Sequence, residues 1–174
     1  MFVLSTMDGI GKPRIHLAII RCACFEHLEG EPLFTAVSAG FGKFECERLL
    51  KPSGIELMNL PRAANIEVSV FRRRSGADGE RTKQMLYHGL VSLAAVRTLF
   101  WTPSVAEGEA STPPEVEQPL VWESWLGLFS SEVDLGNQSP ERLFQRCLEM
   151  GGSSARFPRL LLRLQYLPCQ SIYG

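Results

Sequence analysis

Ile66-Glu67-Val68-Ser69-Val70-Phe71 sets Ile66, Val68 and Val70 on one face and Glu67 and Ser69 on the other, the period of two that a half-buried strand requires. The same period extends in both directions. Toward the N-terminus, Arg14 to Cys24 places Ile15, Leu17 and Ile19 opposite His16, Ala18 and Ile20, which predicts a core strand covered on at least part of both faces. Leu33-Phe34-Thr35-Ala36-Val37 and Lys43-Phe44-Glu45-Cys46-Glu47-Arg48-Leu49 flank Gly40-Phe41-Gly42 and read as a hairpin. Pro52-Ser53-Gly54 punctuates the chain before Ile55-Glu56-Leu57-Met58-Asn59-Leu60.

Toward the C-terminus, Met85-Leu86-Tyr87-His88-Gly89-Leu90-Val91-Ser92-Leu93 is another apolar segment, in which Gly89 marks a bulge or a close backbone approach. Leu120 to Phe129 carries Trp122 and Trp125 and reads as a strand ending in a short turn. In Arg159 to Pro168, Leu160, Leu162, Leu164 and Tyr166 lie opposite Leu161, Arg163 and Gln165, the pattern of a closing strand. Short strands at intervals of about ten residues indicate a β-sandwich or barrel. One helix signal interrupts them. Ser139 is placed to cap, Pro140 to open the first turn and Glu141 to follow, while Leu143, Phe144, Cys147 and Leu148 recur at helical spacing before Gly151-Gly152 stops the helix. This helix is expected to lie on the sandwich, apolar face inward.

The chain has 174 residues, 45% of them hydrophobic, and a formal net charge of −1 from 18 basic and 19 acidic side chains. That composition fits one globular domain over residues 1–174 with a real core, and argues against a disordered polyelectrolyte and a uniformly basic nucleic-acid binder. No run approaches the 18 or more apolar residues of a membrane-spanning helix, since Arg21 breaks the longest early one. The N-terminus lacks a basic n-region, so a cytoplasmic location is expected. Five cysteines in a chain able to bury its own core point to reduced thiols. Charge is uneven: residues 1–101 hold 13 basic and 10 acidic side chains, residues 102–174 hold 5 and 9. Thr102 to Pro119 contains four prolines and four glutamates without a basic residue, the composition of a flexible acidic surface loop.

Taken together, the strands resemble the C2 domain, an eight-stranded antiparallel sandwich that typically docks on membranes, often with calcium. Leu17-Ala18-Ile19-Ile20-Arg21-Cys22-Ala23-Cys24-Phe25 and Glu31-Pro32-Leu33-Phe34-Thr35-Ala36-Val37 look like the family's first hydrophobic strand and its Asp-Pro-Tyr turn. Ile66 to Val70 resembles the strand that enters the third binding loop, and Leu86 to Leu93 the segment that leaves it. The pattern at Leu160, Leu162, Leu164, Tyr166 and Pro168 is similar to a strand whose C-terminal position favours the circularly permuted, type II topology. The resemblance implies an all-β, eight-stranded antiparallel sandwich with one short helix before the last strand, spanning roughly Lys12 to Cys169.

The departures from the family bear directly on chemistry. Calcium sites need several oxygen ligands converging on the ion. Glu31 replaces the aspartate of the first turn, and Arg72 and Arg74 stand at the aspartate positions that follow Val70 in the family, so no calcium and no other metal is expected. Arg72-Arg73-Arg74 with Arg81 and Lys83 instead places five basic residues in twelve against Asp78 and Glu80. In a C2-like sandwich this basic loop sits where calcium would bridge to lipid headgroups, and each cation near an anionic surface contributes about 1 kcal/mol. The bland alternative is a solvated loop.

Other motifs carry less. Cys22-x-Cys24-x-x-His27 offers soft ligands, but no second Cys/His pair at ribbon or finger spacing follows. Neither a Gly-x-Ser-x-Gly elbow nor a cysteine with a positioned histidine occurs; His16 and His88 read as structural. Gly9-Ile10-Gly11-Lys12 and Gly40-Phe41-Gly42-Lys43 lack the full phosphate-loop spacing and read as turns. Trp122, Trp125 and Phe129 read as core. The sequence thus leads to a non-enzymatic, calcium-independent module without cofactor, small-molecule substrate or nucleic-acid partner. It would dock a longer cytoplasmic protein peripherally on anionic phospholipid or a membrane-associated partner, with Arg72, Arg73, Arg74, Arg81 and Lys83 as headgroup contacts. The alternative is a protein-interaction scaffold of the kind degenerate C2 domains provide in cytoskeletal and ciliary assemblies. A hydrolase or metal enzyme would require His27 or His88 in a cleft beside Cys24 or an acidic group.

Overall fold

A computed structural model of the chain describes residues 14–25, 32–39, 45–58, 64–99 and 120–167. The expectations for the N-terminus, for the glycine turns at 9–12 and 40–43, for His27 and for the acidic stretch 102–119 lie outside them. The elements in chain order are β1 (Arg14–Ala23), β2 (Leu33–Ala39), β3 (Glu45–Leu49), β4 (Ser53–Met58), β5 (Asn65–Ser75), β6 (Arg81–Ser92), α1 (Leu93–Leu99), β7 (Leu120–Gly127), β8 (Phe129–Ser130), α2 (Pro140–Gly152) and β9 (Arg159–Leu167). All strand pairs are antiparallel, in one sheet of order β4-β1-β9-β7 and a second of order β3-β2-β5-β6-β8.

The all-β sandwich is therefore present, with two differences in count. The described residues form nine strands instead of eight, because the run Leu120 to Phe129 divides into β7 and the two-residue β8. They also form two helices instead of one. Leu93 ends the apolar run as the first residue of α1, since the Ser92 hydroxyl accepts from the Ala95 amide at 3.3 Å and turns the chain out of the sheet.

The core follows from the alternation. Ile15, Leu17 and Ile19 of β1 and Leu160, Leu162, Leu164 and Tyr166 of β9 point inward from the first sheet, and Ile66, Val68 and Val70 of β5 meet them from the second; all are buried. Burying a side chain of this kind contributes about 2 kcal/mol. The closing strand β9 lies in the middle of its sheet, between β1 and β7, which explains why both its neighbours contribute core residues.

Helix α2 has the expected cap, with the Ser139 hydroxyl accepting from the Arg142 amide at 3.3 Å and Pro140 in the first turn. It lies against β7 and β6, burying Phe144, Cys147 and Gly151, with Phe144 edge-on to Trp122 at 5.8 Å. Gly151 and Gly152 do not stop the helix. They form its last turn, ahead of an extended Ser153, and a Cβ at Gly151 would collide with the Trp125 carbonyl. The glycine is there so that the helix backbone can approach the strand backbone. Gly89 is different: a Cβ there would stand 2.8 Å from Leu128 Cδ2 and 3.1 Å from Leu126 Cδ2, so this glycine leaves room for leucine side chains and not for a backbone. The irregularity in β6 lies instead opposite Val70 and Phe71.

Candidate functional site: the basic ribbon and the adjoining groove

The five basic residues singled out in the sequence are on strands. Pairing of β5 with β6 continues to Ser75↔Arg81, so Arg72, Arg73 and Arg74 belong to β5, Arg81 and Lys83 to β6, and only Gly76 to Glu80 form the turn. Gly79, at φ +76°, occupies the left-handed position of that turn. Pairing of β2 with β5 ends at Leu33↔Arg72, so beyond that point β5 and β6 project as a two-stranded ribbon, exposed from Arg73 to Met85.

The alternation sorts the cations. Arg73 faces Lys83 across the ribbon, on the same side as Phe71. Phe71 points away from the core yet is fully buried: Phe34 stacks on it at 5.7 Å, the Lys83 ammonium lies 4.1 Å from its ring centre, and the Arg73 guanidinium lies 4.6 Å from that of Phe34. Two aromatic rings therefore carry two cations, an arrangement worth about 1 kcal/mol per contact. On the opposite side, Arg72 Nε donates to Gln84 Oε1 at 2.9 Å, and Arg74 is paired in register with Thr82. Arg74 and Arg81, nearest the tip, have no side-chain ion pair among the described residues.

Connectivity places other exposed groups at the same end. The C-terminal ends of β1, β3, β5 and β7 and the N-terminal ends of β2, β4, β6 and β9 all gather there. Among the described residues, Leu49 (45% exposed), Val133 (45%) and Phe157 (39%) are three of the five exposed large hydrophobic side chains, and all three lie at this end. Lys51 and Arg156 are exposed beside them.

Next to the ribbon, on the outer face of the second sheet, is a cavity of about 390 Å³. Its floor is made of small residues, Ala36, Ser38 and Ser69, and its wall of Leu90, Phe129, Leu135 and Leu143. Glu67 and Lys83 lie at its margins, and His88 lines it with Nδ1 buried and without a hydrogen-bond partner. Burial holds the His88 pKa below its ordinary value, partly countered by the Glu67 carboxylate. An acidic group thus does stand near His88 in a cleft. No relay is formed, however: the Ser69 hydroxyl donates to the Ala36 carbonyl at 3.5 Å, and no hydrogen bond joins the Ser69, Glu67 and His88 side chains.

The remaining sequence candidates are separated from this site. Cys22 is exposed at the end of β1 and Cys24 lies beyond it with φ +66°, so the two do not share a strand face. Among the described residues no group of three or more His, Cys, Asp or Glu side chains is placed to hold a metal ion. His16 lies on the outer face of the first sheet, its imidazole packed over Gly54. Trp122 and Phe129 are core residues; Trp125 is half-buried on the outer face under the Arg159 guanidinium, 4.9 Å away. No helix among the described residues is long and apolar enough to cross a membrane. Comparison with protein-family models finds no match for the chain, and comparison with curated proteins finds no similar one.

Proposed function

We propose that the chain is a C2-like, calcium-independent module that docks peripherally on anionic phospholipid through the end of the sandwich that bears the β5–β6 ribbon. The observation that carries this reading is the gathering of Arg72, Arg73, Arg74, Arg81 and Lys83 on one projecting ribbon, at the same end as exposed Leu49, Val133 and Phe157. Five cations against Asp78 and Glu80 leave the ribbon at +3, and flanking apolar side chains give an approaching bilayer surface to enter.

The stacked pair Phe34 and Phe71 supports the reading further. Pinning Arg73 and Lys83 on rings limits the conformational entropy they lose on contact with a headgroup, while Arg74 and Arg81 extend from the tip. Direct attraction then takes the role that a bridging ion has in the calcium-dependent family members. Co-sedimentation with vesicles of phosphatidylcholine alone, and with added phosphatidylserine or phosphoinositide, tests it. Binding should require the anionic lipid and weaken with salt; equal association with both vesicle types, or none, refutes it.

A further inference from the structure

We infer that the outer edge of β6 from Arg81 to Met85 is a docking site for an extended acidic segment of a partner protein, which adds there as an antiparallel strand. Read from its own N-terminus, that segment is an apolar residue, any residue, Glu or Asp, any residue, Glu or Asp. The edge begins where β8 leaves off. β8 pairs with β6 only at Tyr87↔Ser130 and His88↔Phe129, and the last bond on that side runs from the Ser131 amide to the Leu86 carbonyl at 2.9 Å. From there to the turn, β6 is paired with β5 alone among the described strands, and Arg81 to Met85 are exposed.

The ladder fixes which groups this edge offers. The Gly76 amide donates to the Glu80 carbonyl at 2.8 Å, which makes Gly76 and Glu80 a hydrogen-bonded pair. Alternation then gives Arg74↔Thr82 and Arg72↔Gln84 their bonds with β5, while Arg81, Lys83 and Met85 turn their N–H and C=O groups outward. The side chains of the same three residues stand on one face, that of Phe71 and Arg73, so an added strand meets two cations and then Met85, which is 46% exposed. Outward backbone groups of this kind are a template for any strand, and the side chains beside them select among strands. A second copy of the chain is rejected: paired antiparallel about Lys83 it sets Lys83 against Lys83, and paired about Thr82 it sets Arg81 against Lys83. A basic segment meets the same repulsion, and a wholly apolar one would lie against two charges. Carboxylates two residues apart, opposite Lys83 and Arg81, with an apolar residue opposite Met85, suit all three positions. The edge is recognised through backbone as well as charge, so the inference goes beyond the lipid reading and does not rest on it.

The probe is the peptide acetyl-Leu-Thr-Glu-Thr-Glu-amide, titrated into the whole chain and followed by the resonances and hydrogen exchange of the β6 amides. The peptide should slow exchange at Arg81, Lys83 and Met85, whose amides face it. Methylating the amide nitrogen of its first glutamate, which faces β6, should weaken binding at least about tenfold, whereas methylating that of its second threonine, which faces away, should change binding by less than about threefold. Arg81→Glu should weaken binding about fivefold, and a peptide ending in lysine in place of its last glutamate should prefer this variant to the natural chain. Unchanged exchange at the three amides at about 5 mM peptide overturns the inference. So does equal weakening by the two methylations, which would mean that charge alone holds the peptide and no strand is added. Both results are read on the natural chain, whatever Arg81→Glu does.

Discussion

The two outer faces of the sandwich are built on the same pleat and finished differently. On the outer face of the first sheet the cations are held by neighbouring groups: Arg163 Nε meets Glu123 Oε2 at 2.7 Å across β9 and β7, and Arg159 lies on Trp125 and donates to the Gly151 carbonyl at 2.9 Å, although its Nε is buried without a partner. On the second sheet Arg73 and Lys83 are stacked on aromatic rings, Arg72 donates to Gln84, and Arg74 and Arg81 extend toward the tip of the ribbon, which stands beside a cavity. A face whose cations are held against carboxylate, carbonyl and ring has little charge to offer a partner. A face that gathers five cations on one ribbon, two of them set on aromatic rings, has less left to order on meeting an anionic surface.

The largest expected effect breaks this contrast at the ribbon. Arg72, Arg73 and Arg74 replaced together by alanine should weaken binding to phosphatidylserine vesicles by about two orders of magnitude, since three cations contribute about 1 kcal/mol each. The matching change on the other face, Arg163→Ala, should leave vesicle affinity within about twofold. A loss from Arg163→Ala of about one third of the triple variant's free-energy loss, about fivefold in affinity, would mean that net charge, and not position, governs binding.

The second effect concerns the helix that borders the groove. Gly151→Val places side-chain carbon against the Trp125 carbonyl and should destabilise the fold by about 2 kcal/mol, read as a lower midpoint of urea unfolding with an unchanged slope. A neutral result would show that α2 does not need its close approach to β7.

How far these features can be read from sequence depends on how local they are. The inward sets Ile66, Val68, Val70 and Leu160, Leu162, Leu164, Tyr166 were legible, because the alternation that buries them is written in consecutive residues. The Ser139 cap and the five ribbon cations were legible for the same reason. The strands that hold those cations were not: beyond Leu33↔Arg72 both sides of the ribbon face water, so no alternation of polarity marks them. Phe71 reads as the end of a core strand, and its burial on the outer face depends on Phe34, a partner 37 positions earlier in the sequence, and on the cations above it. The groove draws its residues from β2, β5, β6, β8 and α2, and nothing in any one segment announces it. Helix α1 left one sign, Ser92 ahead of Leu93-Ala94-Ala95, hidden in an apolar run that continues the strand.

A smaller effect separates the sealed flank from the open face by pH. Burial pushes the Cys147 thiol up from 9.0 to about 11, against the smaller lowering influences of a backbone hydrogen bond with Leu90 and the charge of Arg146. The folded value is the higher one, so this stabilisation is present in full below about pH 9 and is lost as pH rises toward about 11, where the unfolded chain has already released its proton. Thermal melting between those limits should fall more steeply for the natural chain than for Cys147→Ala. Parallel curves would place the thiol in water. The smallest effect is on the outer face of the first sheet: Glu123→Ala should cost less than about 1 kcal/mol, because the Arg163–Glu123 pair is exposed on both sides.

The measurement that tests the account most directly is co-sedimentation of the whole chain with phosphatidylserine-containing vesicles at about 0.05 M and about 0.5 M salt, with the Arg72/Arg73/Arg74→Ala variant alongside. The account predicts binding by the natural chain at low salt, its loss at high salt, and little binding by the variant at either. Binding that survives high salt, or that the variant retains in full, would contradict it.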